Sequence, residues 1–251
     1  MHGSGRSAFV KIATTPLTAA HMHRELRAYG AIDARFRPTL LGFSDDLAEP
    51  FLIIEDLSEA NWPPAWSDEK IAAALETIRG LHASSARLRP YAEVHAARTP
   101  GWAEVARDAR CFLSLGLADR AWLDAALPRL IEAEAACSTE GDAVTHFDLR
   151  SDNICILDDR AILVDWGEAC LSNPKLDLGG WLPSLAYEGG PPPDAVLPNA
   201  PEVAAWVSGY FAARAGLPTI PDAPFVRQVQ LAQLHASLPW VCRALGLPVP
   251  S

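Results

Sequence analysis

The chain has 251 residues, 49% of them hydrophobic and 21% charged, which is enough apolar material for a sizeable core and excludes wholesale disorder. Its 21 basic against 31 acidic residues give a net charge of −10, and no basic stripe interrupts that balance, so nucleic acid is not expected as a partner. Five scattered cysteines without CxxC spacing argue against a zinc site or a disulfide framework. With no N-terminal apolar h-region and no apolar run of about 18 residues, a soluble, cytoplasmic protein without a membrane partner is expected.

Ala8 to Ala13 reads as a short strand carrying one cation, Lys11. Thr15-Pro16 or Thr18 can cap the helix that follows, which runs to about Ile32 with Met22, Leu26 and Tyr29 at helical spacing. A strand pair comes next, Thr39 to Phe43 and Phe51 to Glu55, joined by the turn-rich SDDLAEP. Glu55-Asp56-Leu57 then enters a polar, Pro-containing connector, SEANWPPAWSDE, where a boundary is expected: residues 1–56 on one side, 57–251 on the other. Ser67 is placed to cap a helix with an apolar stripe of Ile71, Leu75, Ile78 and Leu81. A looser region surrounds Pro100-Gly101-Trp102, and a helix spans roughly Arg120 to Ala136. Residues 188–201 hold too much Gly and Pro for a regular element, and so read as a lid, a binding loop or disorder. Two helices, about Glu202 to Ala215 and Phe225 to Leu245, close the chain. The fold class is α+β, with a small β-rich N-terminal part and a larger, mainly helical remainder.

The most informative stretch lies between Thr145 and Glu168, THFDLRSDNICILDDRAILVDWGE. Ile154 to Leu157 and Ala161 to Val164 are β-prone, with Asp158, Asp159 and Arg160 as the turn between them. A hairpin symmetric about Asp159 sets Asn153 opposite Asp165. Facing residues lie about 4.5–5.5 Å apart, close enough to share one hard cation, and Asp148 falls in the loop at the same end. Taken singly these are ordinary turn and strand-end residues; taken together they resemble a phosphoryl-transfer site. Asp158 and Asp159 are read as turn formers only, Glu168 as solvated, His146 as a residue bonding nearby backbone, and Asp177 as a buttress of the loop.

These residues resemble the aminoglycoside phosphotransferase and choline kinase group, small-molecule relatives of the protein kinases. The HxDxxxxN loop of that family matches His146-Phe147-Asp148 through Asn153, and its metal-binding DxG/DxE segment matches Asp165-Trp166-Gly167-Glu168. Asp177-Leu178, Leu81-His82 and the hinge-like Glu55-Asp56-Leu57 resemble further family features, so the similarity runs from about Phe9 onward. The resemblance implies a two-lobe kinase-like fold and transfer of the γ-phosphate of ATP to a hydroxyl of a small molecule, with Mg²⁺. It implies that Asp148 orients or deprotonates the hydroxyl, that Asn153 and Asp165 hold the metal, and that Lys11 meets the nucleotide phosphates with Glu25 as its partner. The backbone around Glu55 to Leu57 would then meet the adenine edge. Arg150 is either a phosphate contact or a salt-bridge partner of Asp152. The acceptor is expected near the catalytic loop and the helices after Asp177, and its identity and the oligomeric state stay open.

Only ten residues precede Lys11, so the N-lobe is expected to be incomplete, with Gly3-Ser4-Gly5 as a remnant of a phosphate-covering loop, an expression scar or the start of a truncated reading frame. A degenerate, nucleotide-binding module without catalysis is therefore the alternative, and a metal-dependent hydrolase a remoter one. Ala200-Pro201-Glu202 imitates a protein-kinase segment but lacks the activation-loop character expected around it.

Overall fold

Residues 7–221 and 223–250 are described by a computed structural model of the chain; the Gly3-Ser4-Gly5 segment lies outside them. The described residues divide into two compact units, one running up to Val94 together with Glu140–Asp177, the other His95–Thr139 together with the described residues from Leu178 on. Residue 57, where the sequence suggests a boundary, lies inside the first.

In the first unit, β1 (Ala8–Ile12) leads into α1 (Pro16–Ala31). Thr15 accepts from the Thr18 amide while Thr18 accepts from the Thr15 amide, and Pro16 occupies the first turn, where its missing N–H costs nothing. The buried face of α1 is Ala19, Met22, Glu25, Ala28 and Tyr29, so the stripe runs through a carboxylate while Leu26 stays half-buried. β2 (Leu40–Ser44) and β3 (Phe51–Glu55) complete an antiparallel sheet in the order β1-β3-β2, with Lys11 paired to Leu52. α2 (Asp68–His82) starts at Ser67, which accepts from Lys70 N. Acidic residues fill its first turn and Arg79 and His82 its last, matching the helix dipole. Its buried stripe is Ile71, Ala74, Ile78 and Leu81; Leu75 is only half-buried. A single turn, α3 (Tyr91–Val94), follows.

The rest of this unit is two strand pairs. β4 (Ala143–Thr145) pairs with β7 (Cys170–Ser172), and β5 (Ile154–Leu157) with β6 (Arg160–Leu163). The hairpin forms, but its register is one residue tighter than the symmetric expectation. Asp158 and Asp159 both adopt positive φ (49° and 63°), the two-residue turn whose twist suits a hairpin. Leu157 therefore pairs with Arg160, and Asn153 comes opposite Val164, whose N–H donates to the Asn153 carbonyl at 3.0 Å. Asn61, from the connector, exchanges two main-chain hydrogen bonds with Ile156, both 2.9 Å, and so fastens that segment along β5.

The second unit is helical: α4 (Gly101–Arg107), α5 (Arg110–Leu113), α6 (Arg120–Ala135), α7 (Pro174–Tyr187, from Leu178 on), α8 (Pro193–Val196), α9 (Pro201–Ala212) and α10 (Val226–Leu245). Asp119 caps α6 through Trp122 N. Pro100 precedes α4 and offers no side-chain cap, so the first amides of α4 turn to Glu134 on α6. That carboxylate accepts from Gly101 N at 2.8 Å and from Trp102 N at 3.0 Å, and it is 4% exposed. Gly101 and Gly209 make α4 and α9 meet backbone to backbone, since a Cβ on Gly101 would overlap the Gly209 carbonyl. The 188–201 segment is not wholly irregular: Pro193 takes the first-turn position at which proline favours a helix, and one turn forms as α8.

Candidate active site

The site is assembled from the loop after β4, the start of β5, the end of β6 and the facing pair of β1 and α1. Two residues in it hold left-handed backbone, Phe147 (φ 67°) and Asp165 (φ 65°, ψ 63°), a conformation costly for residues other than glycine and concentrated at functional sites.

Asp177 organises the first of these loops. It is 2% exposed and takes three donors: His146 N at 3.0 Å, Phe147 N at 2.8 Å and His82 Nε2 at 2.9 Å. Burial pushes its carboxyl up, but the His82 hydrogen bond, the nearby imidazoles and the main-chain donors bring it below the ordinary value. His146 is fully buried, donates through Nε2 to the Val164 carbonyl at 2.9 Å and accepts at Nδ1 from Asp148 N at 3.3 Å. It acts as a strut between the loop and the end of β6, with neither nitrogen left for substrate.

Asp148 stands next in the loop. Burial raises its carboxyl above the ordinary range, Asp165 and Asp152 add to that, and Arg150 and His146 oppose it. Asn153 Nδ2 donates to the Asp148 carbonyl at 2.7 Å and to its Oδ2 at 3.1 Å, which fixes the amide so that its oxygen faces away with no donor among the described residues. Arg150 lies between two acids rather than choosing one. Its guanidinium is 3.5 Å from Asp148 Oδ2 and 3.2 Å from Asp152 Oδ1, and Nε is not aligned to donate to the latter.

Across the cleft, Lys11 Nζ lies 2.7 Å from Glu25 Oε2 and 2.8 Å from Asp165 Oδ1. Burial lowers the lysine, yet the two carboxylates hold it above its usual value and therefore charged. Burial raises the Asp165 carboxyl, and Lys11 more than cancels that, so it stays ionised. Glu25 is raised by burial, against the pull of Lys11. The tighter hairpin register alone would turn Asp165 to the opposite face from Asn153. The left-handed turn at Asp165 breaks the alternation, and both residues line one cleft of about 470 Å³. Lys11, Glu25, Glu55, Leu57 and Trp62 line it too. The Glu55 carboxylate is occupied elsewhere, accepting from Thr39 N and Oγ1 at 3.0 and 2.9 Å. Among the described residues no group of three or more His, Cys, Asp or Glu is gathered so that it could hold a metal ion.

Two features escaped the sequence reading. Glu168 is not simply solvated: it pairs with Arg24 at 3.2 Å, and Arg24 Nε donates to the Gly167 carbonyl at 2.9 Å, tying α1 to the segment that carries Asp165. Trp62 forms part of the cleft and donates through Nε1 to the Leu57 carbonyl. Its only signal was a tryptophan placed just beyond the hinge-like triplet.

The phosphotransferase enzyme family model matches residues 1–218. The chain belongs to the phosphotransferase enzyme family. Among solved structures, this family member is similar to a thermostable variant of aminoglycoside phosphotransferase APH(4)-Ia, at 14% identity over 98% of this chain and 87% of that one, TM-score 0.55. That protein has also been solved as a ternary complex with ADP and hygromycin B, which matches at 11% identity over 96% of this chain and 87% of that one, TM-score 0.54. A choline/ethanolamine kinase family protein from Mesorhizobium loti matches at 19% identity over 96% and 86% of the two chains, TM-score 0.54. At these identities the likeness is one of fold, and it is the kinase-like α+β fold expected from the sequence. No curated protein matches by sequence. Among the described residues no helix is long and apolar enough to cross a membrane.

Proposed function

We propose that this phosphotransferase uses ATP with Mg²⁺ and moves the γ-phosphate to a hydroxyl of a small molecule. The observation that carries the reading is the bridge of Lys11 between Glu25 and Asp165 in the same cleft as Asn153. It joins a half-buried cation, set to meet phosphate oxygens, to the carboxylate of an oxygen-donor pair. Phosphoryl transfer asks a protein for position and charge neutralisation rather than covalent chemistry, and this site supplies those.

Asp148 takes or orients the hydroxyl proton, helped by the burial that makes its carboxylate a better base than a free one. Arg150, held beside it, offers a fixed positive charge to the migrating phosphoryl group. The Asn153 oxygen and the Asp165 carboxylate fit Mg²⁺, an ion that takes few protein ligands and keeps several waters. When bound it neutralises charge on the phosphate oxygens. The hinge offers its backbone at Glu55 and Leu57 to the base. The acidic balance of the chain is compatible with a cationic acceptor.

The test is Asp148→Ala, assayed by ATP consumption and product detection against a panel of hydroxylated metabolites and aminoglycosides. Turnover should fall by about 10³-fold or more while Mg·ADP binding, read by thermal shift, persists. Unchanged turnover would remove Asp148 from the chemistry. Nucleotide binding without a phosphorylated product from the unaltered chain on any acceptor would favour the non-catalytic module.

A further inference from the structure

We propose that Trp62 is a specificity-determining residue that makes the cleft take a 6-aminopurine nucleotide and refuse a 6-oxopurine one, an inference that rests on the nucleotide reading above. The argument starts from one carbonyl. A main-chain oxygen has two lone pairs, and at Leu57 both are in use: Ala60 N donates at 3.0 Å and Trp62 Nε1 at 2.9 Å. The Leu57 N–H, by contrast, makes no main-chain hydrogen bond among the described residues. The hinge residue therefore presents a donor and no acceptor.

Adenine carries an unprotonated N1 at this edge and is served by a donor. Guanine and hypoxanthine carry a protonated N1, and guanine adds a 2-amino group beside it. Both must find an acceptor next to the donor that meets O6, and the acceptor in that place is already saturated. A buried donor left unpaired is the kind of mismatch that discriminates strongly, because the lost water is not replaced.

Trp62 can hold the carbonyl because it is itself held. Its ring packs against the cluster of Leu57, Cys155 and Ile162 together with Val164, and the preceding Asn61 is bonded twice to Ile156. The indole is thus a fixed part of the wall, tied both to the hinge and to the hairpin.

The experiment is isothermal titration of the full chain with the Mg²⁺ complexes of ADP, GDP and IDP, then the same titrations on Trp62→Phe. The unaltered chain should bind ADP at least about tenfold tighter than either GDP or IDP. IDP lacks the 2-amino group, so its rejection isolates the N1 proton. Trp62→Phe frees one lone pair of Leu57 and should narrow the ADP-to-GDP ratio several-fold. Equal binding of the three nucleotides to the unaltered chain, or a ratio unmoved in a folded Trp62→Phe, overturns the proposal and leaves the kinase reading standing. If none of the three binds, both fall. Should Trp62→Phe fail to fold, the IDP comparison on the unaltered chain decides alone.

Discussion

Replacing Asp177 by Asn changes one atom of the side chain and should cost the fold about 2 kcal/mol. The carboxylate receives three donors, His146 N and His82 Nε2 on Oδ2 and Phe147 N on Oδ1, in a site 2% exposed. An amide can place its oxygen where Oδ2 lies and keep two of them, but its NH₂ then confronts the Phe147 N–H. A buried donor without an acceptor costs about 1–3 kcal/mol, and loss of the charge weakens the two remaining bonds. Asp177→Ala orphans all three and should cost about 4 kcal/mol on the same reasoning. For a chain of this size about 2 kcal/mol lowers Tm by roughly 4–8 °C. Because the folded carboxyl titrates below its unfolded value, its stabilisation is present above about pH 4 and is lost as the pH falls through the folded value. The gap between wild type and Asp177→Asn in urea-unfolding midpoints should accordingly be constant from pH 5 to 8 and close in acid. A gap below about 0.5 kcal/mol at neutral pH, or one that widens in acid, would refute the reasoning.

Glu134→Ala should destabilise the chain by about 3 kcal/mol in equilibrium unfolding, since it strips the amides of Gly101 and Trp102 of their acceptor in a buried place and no other cap stands by. Arg150→Met should lower kcat/KM at neutral pH on the order of tenfold and shift the acid limb of its pH profile upward. The arginine holds down an Asp148 carboxyl that burial already raises, and in the proposed role Asp148 works only when deprotonated. An acid limb that stays in place would mean that Arg150 does not tune Asp148.

Where local chemistry decides structure, the sequence was readable. Thr15-Pro16, Ser67 and the apolar run from Phe51 to Ile54 each carry their own instruction, and the elements they start or form match the expectation to within a residue or so. The hairpin was legible as a hairpin, but not its register. Three turn residues and two are equally consistent with Asp-Asp-Arg, and the choice lies in two positive φ angles that aspartate tolerates without announcing. The turns α3, α4, α5 and α8 are too short to show a period, and α4 depends on a carboxylate more than 30 residues away. The candidate catalytic groups were legible as residues through their combined spacing. The supports that orient them were less so, because Arg24 with Glu168 and Trp62 with Leu57 are pairs that only the folded chain brings together.

The left-handed geometry of Asp165 constrains what can stand in its place. Alanine or valine there would add about 1–2 kcal/mol of steric conflict with the following carbonyl, on top of losing an anion, whereas asparagine and glycine accept that corner of the Ramachandran map. Asparagine is the informative neutral replacement, for it erases the charge without disturbing the main chain. By the same steric logic, few residues can succeed Asp165 without bending the chain that leads out of the hairpin.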